Sequence, residues 1–309
     1  MNTRGKQAFL CLRKYRWLLA IFVLIFLPLN WAPKVFAEAT DTKHLTLGMV
    51  AYTNPQEQYK ALLPVVDYLA SESGMLISIK LFDSYYSILN DIDHDGLDLA
   101  ILSPIVYCLC AESPDLTYLG TTLVKGKDFY HAVLIASKDG KINSVKDLAG
   151  KKVGFVDRYS ASGYLYPANF LKTSGLMENG KALYTPVFLG SHEKAVRALM
   201  TGQVDAAATF EAMFDYSKDG FGTGKPVKLE DFRVLKLFAE RIPEDPFVCR
   251  TALGKPILES LKKALTAFTK KAEEPKSPLK EAWYSGFNLE NQKAYDEMKG
   301  YLKTIMESR

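Results

Sequence analysis

From residue 44 to residue 210 the sequence alternates short apolar runs with stretches of helical periodicity, and no other feature restricts the fold as much. Strands are predicted at 44–50 (HLTLGMV), 76–82, 97–102 (LDLAIL), 117–124, 131–137 (HAVLIAS), 152–156 (KVGFV), 183–189 and 206–210. Helices are predicted between them. The first, 56–71, puts Leu62, Leu63, Val66 and Leu69 on one face; the next runs from a cap at Asp83 to about Leu89. Others fall at 104–111, 144–148, 160–174 and 192–201. Strands separated by helices in this way build sheets covered on both faces, so the fold class is α/β. Two amphipathic helices, 257–271 and 290–306, follow on either side of a loop holding Pro275 and Pro278. No flexible linker interrupts residues 40–309, which suits two domains joined by tight crossovers.

The first 37 residues read as an address. A cationic segment, 1–16, precedes an apolar run at 17–29 (WLLAIFVLIFLPL), shorter than the roughly 20 residues a membrane-spanning helix needs. Val35 and Ala37 put small residues before a cut at Glu38, and Ala37 and Ala39 offer a second site. This is the pattern of a cleavable signal peptide, residues 1–37, and a mature chain exported to the periplasm is expected. An uncleaved anchor is the other reading. Six of the 39 basic residues and none of the 35 acidic ones lie in this segment, so the remainder carries 33 basic against 35 acidic residues. A near-neutral chain has no charge excess to recruit nucleic acid. With 48% apolar and 24% charged residues it is neither disordered nor a multi-span membrane protein. Three of the four cysteines, Cys108, Cys110 and Cys249, lie beyond the signal, and an odd number rules out complete pairing within one chain. Cys108 and Cys110 stand in an apolar stretch where buried free thiols are ordinary, and they are too few ligands for zinc. Neither metal nor cofactor is expected.

Two strand-to-helix turns carry the chemistry. After the strand ending at Val156, Ser160-Ala161-Ser162-Gly163 opens a helix. Helix starts present unpaired N–H groups and the positive end of the dipole, and hydroxyls and a glycine there add donors and close approach. A plain N-cap explains the same serines equally well. The turn lacks the spacing of a P-loop. Ser191 and His192 open the second helix, where His192 can donate to an anion or sit at the surface. Two such starts from neighbouring units converge at the carboxyl ends of parallel strands. Asp91, Asp93 and Asp95 imitate a calcium loop, but Leu102 stands where the bidentate Glu belongs. His44, His94, His131 and His192 are scattered and form no nucleophile–base set.

Seven short motifs, spread over about residues 45–250, together resemble one family. They are Leu47-Gly-Met-Val-Ala-Tyr52, Asp98-Leu-Ala-Ile-Leu-Ser103-Pro-x-x-Tyr107 and Asp147-Leu-Ala-Gly-Lys-Lys-Val153. Ser160-x-Ser162-Gly-Tyr-x-x-Pro167, Gly190-Ser-His192-x-x-Ala-Val, Gly202-x-Val-Asp205-Ala and Ile242-Pro-x-Asp245-Pro246 complete the set. The chain is similar to the periplasmic phosphonate-, phosphate- and phosphite-binding proteins of ABC importers, the PhnD-like family. That resemblance implies a two-lobed type II periplasmic binding fold with the ligand in the cleft. Residues 43–130 plus 248–309 would form one lobe and 131–247 the other, with hinges near Tyr130 and Phe247. It implies a small anionic ligand held by Ser160, Ala161, Ser162, Gly163 and His192 from one side and by Tyr52 and Tyr107 from the other, with Ser103 added. Ala161 departs from the family, which often has Thr there. Asp245, and less cleanly Glu211, match acidic positions that meet a ligand ammonium in some members; a turn cap between prolines accounts for Asp245 equally well.

The implied function is solute capture by interdomain closure and delivery to an ABC permease, by a monomer without enzymatic activity. A sensing subunit for a membrane receptor kinase, a binder of a different small solute and an enzyme on a phosphorylated metabolite are the competing readings. The absence of a convincing acid–base pair speaks against the enzyme.

Overall fold

The computed structural model describes residues 42–309 except 95, 217–219, 281 and 308–309. The signal-peptide expectation therefore lies outside the described residues. In chain order, the first elements are β1 (His44–Val50), α1 (Pro55–Ser73), β2 (Leu76–Phe82), α2 (Tyr85–Asp93), β3 (Leu99–Ile101) and α3 (Pro104–Cys110). Next come β4 (Leu116–Val124), β5 (Phe129–Tyr130), β6 (Ala132–Ser137), β7 (Lys152–Phe155), α4 (Tyr166–Thr173), β8 (Met177–Glu178) and β9 (Lys181–Ala182). After these lie β10 (Thr185–Phe188), α5 (His192–Met200), β11 (Ala206–Phe210), α6 (Met213–Tyr216), β12 (Phe232–Leu237) and β13 (Ile242–Pro243). The chain finishes with β14 (Pro246–Arg250), α7 (Lys255–Glu273), β15 (Tyr284–Asn288) and α8 (Lys293–Glu307). No helix among the described residues is long and apolar enough to cross a membrane.

Two mixed sheets organise the molecule into two lobes. One has the order β15-β4-β14-β3-β1-β2, the other β10-β7-β11-β6-β12. Strands β1, β2 and β3 run parallel, as do β10, β7 and β11. Strands β12, β14 and β15, each paired antiparallel to its neighbours, escape the sequence reading. The chain passes between the sheets twice, after β4 and after β12, and the two passages pair as β5 and β13 through Ile242↔Tyr130 and Pro243↔Phe129. Glu244 N–H to the Asp128 carbonyl extends that pairing, and Thr122 N–H to the Asp245 carbonyl extends the β4–β14 ladder.

The helices form where caps and apolar spacing agree. Asn54 accepts from Gln56 N–H, Pro55 opens α1, and Gly74 ends it at a left-handed φ of 68°. Leu62, Val65, Val66 and Leu69 of this helix pack with Leu45, Leu47 and Phe268 on one face of the first sheet. Each such fully buried side chain contributes about 1.5–3 kcal/mol. On the second sheet, Ala206 and Ala208 of β11 face Leu165 and Leu171, while Ala207 faces Ala195 and Val196 of α5. Helix α8 follows a strand of the first sheet but buries Met298 and Leu302 with Ala132, Leu134 and Ile242 of the second-sheet cluster.

Candidate functional site

Four strand ends deliver the site. Tyr52 follows β1, Ser103 follows β3, Ser160–Ser162 follow β7 and His192 follows β10. Together they line a cavity of about 40 Å³, with Tyr85, Tyr130, Phe210, Glu244, Asp245, Trp283 and Tyr284 among the other walls. A water occupies roughly 10–15 Å³ on this measure, so the space suits one small ion or molecule.

The Ser160 turn has an unusual first coil. Residues Ala161–Leu165 form a π-helical turn that runs on into α4. Pro167 has no N–H to give to the Gly163 carbonyl four residues earlier, so that carbonyl accepts Val156 N–H at 3.0 Å instead. Leu165 N–H reaches back five residues to Ser160 at 3.0 Å. Ser160 Oγ caps the turn by accepting Gly163 N–H at 3.0 Å. Gly163 is required for space: a Cβ there would stand 2.4 Å from Val156. The result seats Ser160 and Ser162, both buried, at the mouth of a helix whose first N–H groups lack intrahelical acceptors.

His192 completes this wall. Gly190 turns the chain at a φ of +84°, a left-handed conformation that favours glycine, and Ser191 caps α5 by accepting Lys194 N–H. The His192 ring lies edge-on to Phe210 at 4.8 Å and to Tyr52 at 6.3 Å. Its Nε2 is 3.5 Å from Ser160 Oγ and its Nδ1 is 3.0 Å from Thr209 Oγ1. Burial pushes its pKa down to about 3, so the ring is neutral.

The opposite wall is acidic and aromatic. Tyr52 Oη donates to Asp245 Oδ2 at 2.7 Å. Burial lifts the Asp245 carboxyl to about 7, against the pull of that hydrogen bond. Half-buried Glu244 is pushed well above the carboxylate range by desolvation, then by Asp245 and Asp128. Burial likewise raises Tyr52, Tyr85, Tyr130 and Tyr284, which keeps their phenols protonated. Tyr85 and Tyr130 line the cavity together with Ser160 and Ser162. Ser103 Oγ caps α3 and also donates to the Tyr159 carbonyl at 3.3 Å, so the two walls touch across the cavity.

Of the residues expected from sequence, Tyr52, Ser103, Ser160, Ala161, Ser162, His192 and Asp245 line this cavity. Gly163 stands behind it and shapes the turn. Tyr107 does not reach it: its ring packs 4.9 Å from Tyr295, and its hydroxyl accepts from Gln292. Glu211 is also absent from the lining, although its neighbours Phe210 and Ala212 are present. Tyr85, Tyr130, Glu244 and Trp283 were not anticipated. The Ser84 cap placing Tyr85 in the first turn of α2 was the one local signal available.

Residues 47–295 match the family described as ABC transporter, phosphonate, periplasmic substrate-binding protein. The phosphate-import protein PhnD of Mycolicibacterium smegmatis is 28% identical over 227 residues, covering 71% of this chain and 70% of that protein. A binding-protein component of an ABC phosphonate transporter from Pseudomonas aeruginosa superposes with a TM-score of 0.73 at 21% identity, over 86% of this chain and 87% of that one. A Prochlorococcus marinus protein solved in complex with methylphosphonate superposes at 0.72 with 16% identity, over 85% and 98%. At these identities the two structures establish the shared architecture.

Proposed function

The chain belongs to the periplasmic substrate-binding proteins of phosphonate ABC transporters, and within that family we propose that it captures a small phosphorus oxyanion between Ser160, Ser162 and His192 on one wall and Tyr52, Ser103, Tyr85 and Asp245 on the other. A family of this kind binds and hands over solute outside the cytoplasm. The observation that carries the ligand class is the convergence of neutral donors on one buried cavity: two serine hydroxyls, a neutral imidazole and a helix start. Such donors replace the hydration shell of an anion without a buried lysine or arginine to neutralise it.

The acidic wall narrows the ligand. Asp245 and Glu244 donate while protonated and only accept once ionised, and to the ionised form the bound molecule brings hydrogen, as a P–OH or as an ammonium substituent. A fully deprotonated tetrahedral anion such as sulfate brings none. The passages at Phe129–Tyr130 and Ile242–Pro243 serve as the hinge in this reading. The lobes, expected from sequence at 43–130 with 248–309 and at 131–247 and divided here at the 242–243 passage rather than at 247, close on the ligand and present a ligand-dependent surface to a membrane permease. Removal of residues 1–37 by signal peptidase belongs to the same proposal, as does action as a monomer.

Calorimetric titration of refolded residues 38–309 with phosphate, phosphite, methylphosphonate, 2-aminoethylphosphonate and sulfate tests it. Tight binding of one phosphorus compound with rejection of sulfate is expected. Tightest binding of the amine assigns Asp245 and Glu244 to an ammonium; tightest binding of phosphate, the cargo in the M. smegmatis relative's name, assigns them to a P–OH. No binding by the folded protein would overturn the ligand class.

A further inference from the structure

We propose that Thr209 is a positioning residue that holds His192 as the Nε2–H tautomer, so that this nitrogen donates into the ligand cavity. The ligand half of this inference rests on the reading above; the tautomer half does not. Thr209 is fully buried on β11, and its side chain projects to the same face as Ala207, the face on which α5 packs. That register sets its hydroxyl beneath the first residue of α5, 3.0 Å from His192 Nδ1. Among the described residues the hydroxyl has no other hydrogen-bond partner.

The direction of this bond follows from proton accounting. A threonine hydroxyl has one hydrogen to place, and a neutral imidazole has one N–H and one acceptor nitrogen. If Nδ1 carried the proton, it would donate to Thr209 Oγ1 and leave the threonine hydrogen buried without an acceptor. That penalty biases the equilibrium by about 5- to 100-fold. If Thr209 donates to Nδ1, both groups are satisfied and the ring proton sits on Nε2. The edge-on contacts with Phe210 and Tyr52 hold the ring in that plane.

The tautomer then controls two donors. Ser160 Oγ lies 3.5 Å from Nε2 and already accepts Gly163 N–H. With hydrogen on Nε2, both the imidazole and the Ser160 hydroxyl have a proton to give to the cavity. In the opposite tautomer Nε2 would draw the Ser160 hydrogen to itself, and both donors would be lost to an anion. Burial keeps the ring uncharged, so its contribution is one directed N–H rather than a positive charge.

Long-range proton–nitrogen NMR of the mature protein reads the tautomer directly, with the His192→Asn spectrum assigning the signal. The ligand-free protein is expected to show Nε2–H. Thr209→Val should give a tautomer mixture and weaken phosphate and methylphosphonate binding by about 10- to 100-fold, while Thr209→Ser restores both to within about threefold. An Nδ1–H signal in the unsubstituted protein would overturn the proposal, as would a valine variant with unchanged tautomer and affinity. Should the valine variant fail to fold, the unsubstituted spectrum and the serine variant still decide. Should neither probe bind the unsubstituted protein, affinity is read with phosphite or 2-aminoethylphosphonate instead; silence of all four overturns the ligand reading, and the ligand-free spectrum still decides the tautomer.

Discussion

The two walls of the cavity are built on opposite electrostatic principles. One wall, from the second sheet, offers Ser160, Ser162 and His192, all buried and all neutral. The other offers Asp245 and Glu244, two carboxyls forced together and out of water among raised tyrosines. Neutral donors bind an anion with little dependence on pH, because nothing in them titrates near neutrality. The acidic wall titrates there. Affinity for the oxyanion should therefore belong to the first wall, and discrimination and pH response to the second.

The sharpest way to break this division is to strip the first wall. Replacing Ser160 and Ser162 together by Ala should weaken binding of the preferred phosphorus ligand by at least about 100-fold, since each hydrogen bond to a charged group contributes about 1.5–3 kcal/mol. Circular dichroism should stay native, with a modest loss of thermal stability from the lost cap at Ser160. Calorimetry showing unchanged affinity would move the anion elsewhere.

Next in size is the response of the acidic wall. The Asp245 carboxyl rises from 3.8 to about 7 on folding, so the native protein holds a proton that the unfolded chain has released. Stability from this group is present at low pH and is lost as pH rises through that window. Glu244 shifts in the same direction. The melting temperature of the ligand-free protein should fall between about pH 4 and pH 7, and Asp245→Asn should remove much of that slope. Binding discriminates further: a ligand bearing an ammonium gains affinity as Asp245 ionises near pH 7, whereas sulfate loses it. A flat profile for both would detach Asp245 from the ligand.

A smaller effect is expected at the seam between the walls. Tyr52 donates to Asp245 and touches the His192 ring. Tyr52→Phe should raise the Asp245 pKa further and weaken binding by about 5- to 10-fold, measured across a pH series. The smallest effects sharpen the boundary of the site. Tyr107→Phe and Glu211→Gln should leave dissociation constants within about twofold, because neither side chain lines the cavity. A tenfold loss at either would redraw the wall that residue was expected to join.

Much of the parallel framework was legible because local physics and tertiary role coincide there. Strands β1 and β11 are marked by short apolar runs and the helix starts at Ser160 and Ser191 by a capping hydroxyl, and those signals are complete within about ten residues. Predicted boundaries moved where a cap was misplaced: Ser84 rather than Asp83 opens α2, and a π turn replaces the first coil of the helix expected at 160–174. Strands β12 and β15 stayed hidden because an antiparallel edge strand such as FRVLKL is defined by its partner as much as by its own residues.

The sequence by itself determined the α/β alternation, the family, and the wall of the site carried on one turn and one helix start. Those features depend on neighbours in the chain: a strand end, a cap, a glycine with room for no Cβ, a proline without an N–H. The acidic wall was decided only by the tertiary structure. Tyr85, Tyr130, Glu244 and Trp283 come from segments far apart, and they face one another because two sheets meet at the β5–β13 crossing. Tyr107 turned the other way because α8 docks beside α3 and gives its ring a better-packed site against Tyr295. The raised Asp245 carboxyl is likewise a consequence of burial, and burial is a property of everything packed around a residue, which no local pattern records.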